Sequence, residues 1–129
     1  NDVEFINDSK ATNIDSVIVA INTFKKPLVL ILGGYDKGSN FRLLLPHIKS
    51  SHVRDIVSYG DAGGQINTDL GDAVRSVLVT DLNSAVNKAQ SMAAPGDIIL
   101  LSPGCASFDE FSNFEERGVY FKSIVETFK

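Results

Sequence analysis

Cysteine is scarce in this sequence, since Cys105 is the only one among 129 residues. A single thiol excludes an internal disulfide framework and is typical of proteins in a reducing compartment. Long hydrophobic runs are missing too, and an apolar stretch such as Pro27 to Leu32 is far too short to span a bilayer. The chain does not open on the charged and then apolar pattern of a secretory signal. We therefore expect a cytoplasmic protein.

Positive charge is in deficit, with 12 Lys and Arg residues against 16 Asp and Glu residues and a net charge of −4. This balance, without a clustered basic stripe, speaks against nucleic acid and anionic membranes as partners. The length and the 43% of hydrophobic residues predict one soluble globular domain, which we expect to be monomeric. A strand-like segment begins within a few residues of Asn1 without a methionine, so we expect a piece of a longer protein.

Two motifs that bind nucleotide phosphates are also absent. The sequence contains neither the P-loop pattern nor the G-x-G-x-x-G pattern of dinucleotide-binding domains. The pair Gly33-Gly34 is therefore interpreted as a turn in which the backbone leaves a strand with positive φ. The motifs alone do not identify a nucleotide-phosphate site in this chain.

A regular alternation of strand-like and helix-like segments fills the chain. The predicted strands are Glu4 to Asn7, Leu28 to Leu32, Val53 to Ser58, Ser76 to Val79 and Asp97 to Leu101. The predicted helices cover residues 13–24, 41–50, 62–70 and 81–93, of which the second is interrupted by Pro46. This alternation predicts an α/β fold, a Rossmann-like three-layer sandwich with a mostly parallel sheet in a single domain.

The segment from Ser102 to Gly118 combines a glycine turn, hydroxyl groups and the start of a helix. Ser107 or Asp109 is expected to cap this last helix, whose apolar positions are Phe111, Phe114, Phe121, Val125 and Phe128. The free N–H groups of such a helix start attract an anion. Gly118, inside the predicted helix, indicates close packing against a neighbouring segment.

Three polar clusters follow apolar strands in this sequence. They are Asn7-Asp-Ser-Lys-Ala-Thr-Asn13, Gly33-Gly-Tyr-Asp-Lys-Gly38 and the run from Ser102 to Gly118. The carboxyl ends of parallel strands lie at one edge of a sheet, where α/β proteins bind their ligands. The order and spacing of the three clusters, over nearly the whole chain, strongly resemble the C-terminal domain of the D-glutamate-adding members of the Mur ligase family, which act in peptidoglycan synthesis.

The resemblance implies an ATP-dependent ligase. In that family the carboxylate of UDP-N-acetylmuramoyl-L-alanine is phosphorylated with the help of Mg²⁺, and the amine of D-glutamate attacks the acyl phosphate. Residues 1–129 would form the C-terminal domain, which binds D-glutamate and closes over ATP. The N-terminal domain for the UDP-sugar and the central ATPase domain with its P-loop would be absent from this chain, so we expect the chain alone to be inactive.

The resemblance also implies roles for individual residues. The positions that match the D-glutamate site of the family are Thr12, Lys37, Ser107 and Phe114. Asp8 matches the residue that hydrogen-bonds the ribose of ATP, and Lys10 is expected near the transferring phosphate or the incoming carboxylate. The chain departs from some relatives by placing Tyr35 directly after the glycine pair, where they have an acidic residue, so the role of Asp36 stays open.

Structural interpretations of the same residues are available. Ser107 could cap the last helix, Asp8 and Thr12 could cap the helix that begins near residue 13, and the side chain of Phe114 is expected to lie in the core. Cys105 is interpreted as a packing residue, since acyl-phosphate ligation needs no thiol nucleophile. The alternative function is a stand-alone flavodoxin-like or receiver-like binding module, although the paired acidic residues of a receiver are missing.

Overall fold

The computed structural model describes residues 2–129, and its centre is a sheet of five parallel strands. The strands are β1 (Glu4–Asn7), β2 (Leu28–Gly33), β3 (Val53–Tyr59), β4 (Arg75–Leu78) and β5 (Ile98–Gly104). Their order across the sheet is β1-β5-β2-β3-β4, and every neighbouring pair is parallel. Strands β2 and β5 are buried along their whole length, which explains their unbroken apolar sequences.

Helices cover both faces of the sheet. They are α1 (Ile14–Thr23), α2 (Leu45–Ser50), α3 (Gly63–Leu70), α4 (Leu82–Met92) and α5 (Phe114–Glu126). Leu28, Leu30 and Leu32 face a core formed with α1, α2 and α3, while Val29 and Ile31 face a second core formed with α4 and α5. The predicted three-layer α/β sandwich is therefore confirmed.

Local sequence explains where the helices begin. Asn13, Asp81 and Asn113 each accept a hydrogen bond from the backbone N–H three residues further on, at 2.9, 2.8 and 2.8 Å. Pro46 lies in the first turn of α2, where its missing N–H costs no helical hydrogen bond. The segment before it, Phe41–Leu44, forms a 3₁₀ helix instead.

Strand β5 differs from the prediction, which ended it at Leu101 and placed a turn at Pro103-Gly104. The strand continues to Gly104, which pairs with Gly33 of β2. The register shifts by one residue just before this pair, and such an irregularity accommodates Pro103, which has no N–H to donate to a neighbouring strand. The carboxyl end of β5 therefore reaches further toward the loop that follows.

A network of charged residues lies near the amino ends of β3 and β4, opposite the carboxyl edge of the sheet. The buried carboxylate of Asp55 accepts two hydrogen bonds from Arg75, at 2.8 and 3.0 Å, and one from Arg54, at 3.0 Å. Burial opposes ionisation, but the hydrogen bonds and charges of the two arginines outweigh it and lower the pKa of Asp55. The ion pairs therefore stabilise the fold at neutral pH, and this contribution is lost as the pH falls through the lowered pKa.

Gly64 offers a test of helix propensity in α3. A Cβ atom at this exposed position would meet nothing within 4 Å. We expect Gly64→Ala to raise the free energy of unfolding by about 0.5 to 1 kcal/mol, because alanine loses less backbone entropy in a helix. Gly63→Ala is the matched control in urea denaturation: its Cβ would lie 2.8 Å from Cδ1 of Leu78, so no such gain is expected. Equal gains from both variants would contradict the prediction.

Candidate functional site

Three loops meet at the carboxyl edge of the sheet, because β1, β5 and β2 are adjacent and parallel. We name them the β1 loop (residues 8–13), the β2 loop (residues 34–40) and the β5 loop (residues 105–113). The N–H of Gly104 donates to the carbonyl of Ala11, and the N–H of Tyr35 donates to the carbonyl of Ala106, both at 2.8 Å. The structure therefore brings together the three polar clusters of the sequence.

Lys37 joins the β2 loop to the β1 loop. Its ammonium Nζ donates to the backbone carbonyl of Thr12 at 2.9 Å. Lys37 is exposed and Thr12 is half-buried. Helix α1 is capped by Asn13, whose side chain accepts from the N–H of Ser16. The structural alternative in which Asp8 or Thr12 caps this helix is therefore wrong, and the hydroxyl of Thr12 is not needed for capping.

Ser107 lies buried in the β5 loop, next to the Tyr35–Ala106 bridge that pairs this loop with the β2 loop. Its carbonyl accepts from the N–H groups of Glu110 and Phe111, at 3.1 and 2.8 Å. These bonds close a turn and do not begin a helix. The hydroxyl of Ser107 forms no hydrogen bond within residues 2–129, so the fold itself does not use this donor.

The predicted start of the last helix, at Ser107 or Asp109, is wrong. Helix α5 begins at Phe114 after the cap residue Asn113. The side chains before it serve other loops: Asp109 accepts from the N–H of Asp61 at 3.4 Å, and Glu110 accepts from the N–H of Leu82 at 3.2 Å. These long-range bonds hold residues 108–113 in a loop.

Phe114 is not a core residue, which corrects the expectation for its side chain. It is 39% exposed and occupies the first position of α5. Its backbone carbonyl accepts from Oγ of Ser9 at 2.7 Å. Phe114 also borders a small cavity of about 260 Å³ together with Lys10 and Asn7.

Asp8 and Lys10 belong to the first half of the β1 loop. One carboxylate oxygen of Asp8 accepts from Oγ of Ser102 at 3.0 Å, which anchors the side chain to β5. Both residues line a cavity of about 540 Å³ between β1 and α1, whose apolar walls include Ile6, Val19 and Phe24. Neither this cavity nor the smaller one is lined by Thr12, Lys37 or Ser107. The predicted site residues therefore fall into two neighbouring groups.

Asp36 shapes the β2 loop from within. Its carboxylate accepts from the N–H of Gly38 at 2.8 Å, and its own N–H donates to the carboxylate of Asp61 at 2.9 Å. Next to it, the exposed ring of Tyr35 packs edge-on against Phe108 of the β5 loop, with 6.4 Å between ring centroids. Asp36 thus closes a local turn just before Lys37.

Arg117 is the residue of this edge that the sequence interpretation missed. It is fully buried and is the largest of the fully buried side chains. Its guanidinium donates to both the β1 and the β5 loop. One sequence signal could have indicated that Arg117 is buried: it lies on the same face of α5 as the buried residues Gly118, Phe121 and Ile124. Arginine is rarely fully buried, so its residue type alone predicts an exposed side chain.

Cys105 lies beside this guanidinium and is also buried. Burial raises the pKa of its thiol to about 12, an effect that the charge of Arg117 offsets only in part. The thiol is therefore protonated at neutral pH, which supports a packing role. Residues 2–129 contain no group of three or more His, Cys, Asp and Glu side chains arranged to hold a metal ion. None of their helices is both long enough and apolar enough to cross a bilayer.

Comparison with known proteins points to one family. The family model for the Mur ligase, glutamate ligase domain, matches residues 1–105. A UDP-N-acetylmuramoylalanine–D-glutamate ligase from Chlamydia caviae is 48% identical over 123 residues, which cover 95% of this chain and 29% of that protein. The enzyme of the same name from Salinibacter ruber is 42% identical over 128 residues, 98% of this chain and 28% of that protein.

A solved structure is similar as well. It is a domain from a UDP-N-acetylmuramate:L-alanyl-gamma-D-glutamyl-diaminopimelate ligase of Haemophilus ducreyi, aligned over 95% of this chain and 88% of its own at 12% identity and a TM-score of 0.44. The chain spans less than a third of the length of the two curated relatives. The family model and the two curated relatives do not favour the alternative of a stand-alone flavodoxin-like or receiver-like binding module.

Proposed function

The chain belongs to the Mur ligase family through its glutamate ligase domain, and we propose that it is the C-terminal, D-glutamate-binding domain of a ligase that joins D-glutamate to UDP-N-acetylmuramoyl-L-alanine. One observation carries this proposal. The ammonium of Lys37 bridges two strand-end loops through the carbonyl of Thr12, while Ser107 lies on the third loop, beside the backbone bridge to the second. Each loop thus contributes one residue whose side chain carries a donor.

The donor set suits a dicarboxylic amino acid. The ammonium of Lys37 can form a charge-assisted hydrogen bond to one carboxylate, and the hydroxyls of Thr12 and Ser107 are donors for further carboxylate oxygens. The role proposed for these groups is to bind D-glutamate and to orient its amine toward the acyl carbon. Phe114, in the first turn of α5, borders the neighbouring small cavity with Lys10 and is proposed to contribute to D-glutamate binding from that side.

Asp8 is proposed to hold the ribose of ATP. One of its carboxylate oxygens is held by Ser102, and the other remains available to accept from a ribose hydroxyl. The apolar walls of the adjoining 540 Å³ cavity suit a flat, weakly polar group. Lys10 lines the same cavity and is proposed to lie near the transferring phosphate or the incoming carboxylate.

ATP supplies the phosphoryl group that activates the muramoyl-alanine carboxylate. The described residues offer neither a P-loop nor a cluster of metal ligands, so we assign the nucleotide phosphates and Mg²⁺ to a central domain of the full-length protein. UDP-N-acetylmuramoyl-L-alanine would be held there and by an N-terminal domain. The 129-residue chain alone is therefore expected to release no phosphate from ATP.

Titration of the ¹⁵N-labelled chain with D-glutamate tests the proposal. We expect the amide signals of Thr12, Lys37 and Ser107 to shift together, with a Kd of about a millimolar because the other domains complete the site. L-glutamate is the control for stereochemistry and should cause smaller shifts. If D-glutamate leaves these three amides unmoved and perturbs the β3–β4 edge instead, the site assignment is wrong.

A further inference from the structure

Arg117 contacts all three loops of the candidate site from inside the protein. We propose that Arg117 is a positioning residue, which sets the geometry of the D-glutamate site by holding the β1, β2 and β5 loops in register. The expected effect of Arg117 on D-glutamate binding rests on the proposed function. Its expected effect on the positions of the loops does not.

The contacts of the guanidinium are specific. Its Nε donates to Oγ of Ser9 at 3.0 Å and its Nη2 donates to the carbonyl of Ser9 at 2.8 Å, both in the β1 loop. Its Nη1 donates to the carbonyl of Cys105 in the β5 loop at 3.0 Å. The same Nη1 packs so closely on Gly34 that a Cβ atom there would lie only 3.1 Å from it. Arg117 thus engages every loop that carries a candidate ligand group.

These contacts lie close in sequence to the proposed ligand groups. Ser9 is three residues from Thr12, Gly34 is three residues from Lys37, and Cys105 is two residues from Ser107. A displacement of any of these contacts would therefore move a binding group directly. The planar guanidinium fork suits this task, since it directs several donors at fixed angles from one rigid group.

The guanidinium of Arg117 has no carboxylate in direct contact within residues 2–129. Its observed acceptors are two carbonyls and one hydroxyl. Burying an uncompensated cation is unfavourable, and apolar residues would fill the same space at lower cost. The buried positive charge also favours an anionic ligand at the adjoining edge. A buried arginine with these contacts is therefore better explained by a role in positioning the site than by a role in packing the core.

Helix α5 approaches the β1 loop closely enough to fix the position of Arg117. Gly118 makes this possible, because a Cβ atom there would lie 3.1 Å from Nδ2 of Asn7 and 3.4 Å from Cβ of Ser9. Asn7 also donates to the carbonyl of Gly118, and Ser9 donates to the carbonyl of Phe114. The predicted close packing at Gly118 is confirmed, and it places the guanidinium between the loops.

Hydrogen exchange in the 129-residue chain tests the proposal without a ligand. In Arg117→Met, the amides of Gly104 and Tyr35, which bridge the loops, should exchange at least about tenfold faster relative to the amide of Val79, which bonds to Ser58. Arg117→Lys keeps the charge but cannot reach Ser9 and Cys105 at once, so it should restore only part of this protection. Equal acceleration at all three amides, or full protection in Arg117→Lys, would overturn the proposal.

D-glutamate titration of the same variants tests the consequence for binding. We expect Arg117→Met to weaken binding about tenfold at a temperature where it is folded, and Arg75→Met, an arginine at the opposite edge, to leave the affinity unchanged. Unchanged affinity in Arg117→Met would also overturn the proposal. If the wild-type chain does not bind D-glutamate, the proposed function is wrong. The hydrogen-exchange comparison still tests whether Arg117 positions the loops. If Arg117→Met does not fold, Arg117→Lys is compared with the wild-type chain in both the hydrogen-exchange and the D-glutamate titration experiments.

Discussion

Gly33→Ala is expected to lower the free energy of unfolding by roughly 3 to 5 kcal/mol, a large part of the stability of a domain of this size. Gly33 ends β2 with a φ of +153°, which side-chain-bearing residues rarely adopt. A Cβ atom would also overlap the backbone carbonyl of Tyr59 and lie 2.6 Å from Cδ1 of its ring. Neither group can retreat, since Tyr59 pairs with Gly33 in the sheet and its ring is fully buried.

Gly38→Ala is the matched control for this prediction. Gly38 also has a positive φ, +78°, but a Cβ atom there would meet nothing within 4 Å. The variant should therefore lose only about 1 kcal/mol, the conformational cost of that backbone region. Urea denaturation of both variants separates backbone strain from the clash. Similar losses in the two variants would show that the contact with Tyr59 contributes little.

The sheet was predictable because its signals are local. The unbroken apolar runs of β2 and β5 identify strands buried on both faces, and the predicted strand starts lie within one residue of those in the structure. The apolar spacing of α1 and α4 and the Asn13 and Asp81 caps are local signals too. From this alternation the parallel sheet and its helix layers follow by the handedness of crossover connections.

The β5 loop was predicted incorrectly because its conformation depends on distant residues. Asp109 and Glu110 bind backbone N–H groups of residues 61 and 82, and nothing in the local sequence indicates those partners. A local signal for the true start of α5 was present, however. Asn113 and Glu116 form a capping pair, in which Asn113 accepts from the N–H of Glu116 and Glu116 reaches back to the N–H of Ser112.

The candidate site was predictable in part. The family motifs selected Thr12, Lys37 and Ser107, and the strand order explains why the three loops that carry them meet. The bond from Lys37 to the carbonyl of Thr12 was not predictable, since it joins a side chain to a backbone atom 25 residues away. The contribution of Arg117 was missed for a similar reason: its partners lie up to 108 residues away.

In the full-length protein, Lys37→Met is expected to raise the KM for D-glutamate roughly 10- to 100-fold. The variant keeps an apolar stem of similar length but removes the charged donor, and a hydrogen bond to a charged group contributes about 1.5 to 3 kcal/mol. It also removes the bond that ties the β2 loop to Thr12. The kcat should stay within about threefold of wild type, because a group that binds the distant carboxylate stabilises ground state and transition state alike.

Steady-state phosphate release at varied D-glutamate concentration measures both constants. Lys88→Met is the matched control, since Lys88 is an exposed lysine of α4 that borders neither cavity, and its removal should change neither constant. The KM for ATP should also stay constant in Lys37→Met, because the ribose is assigned to Asp8, which lines a cavity that Lys37 does not border. An unchanged KM for D-glutamate would remove Lys37 from the site. A fall in kcat alone would instead place its ammonium at the reacting carboxylate or phosphate, where it would act in the transition state.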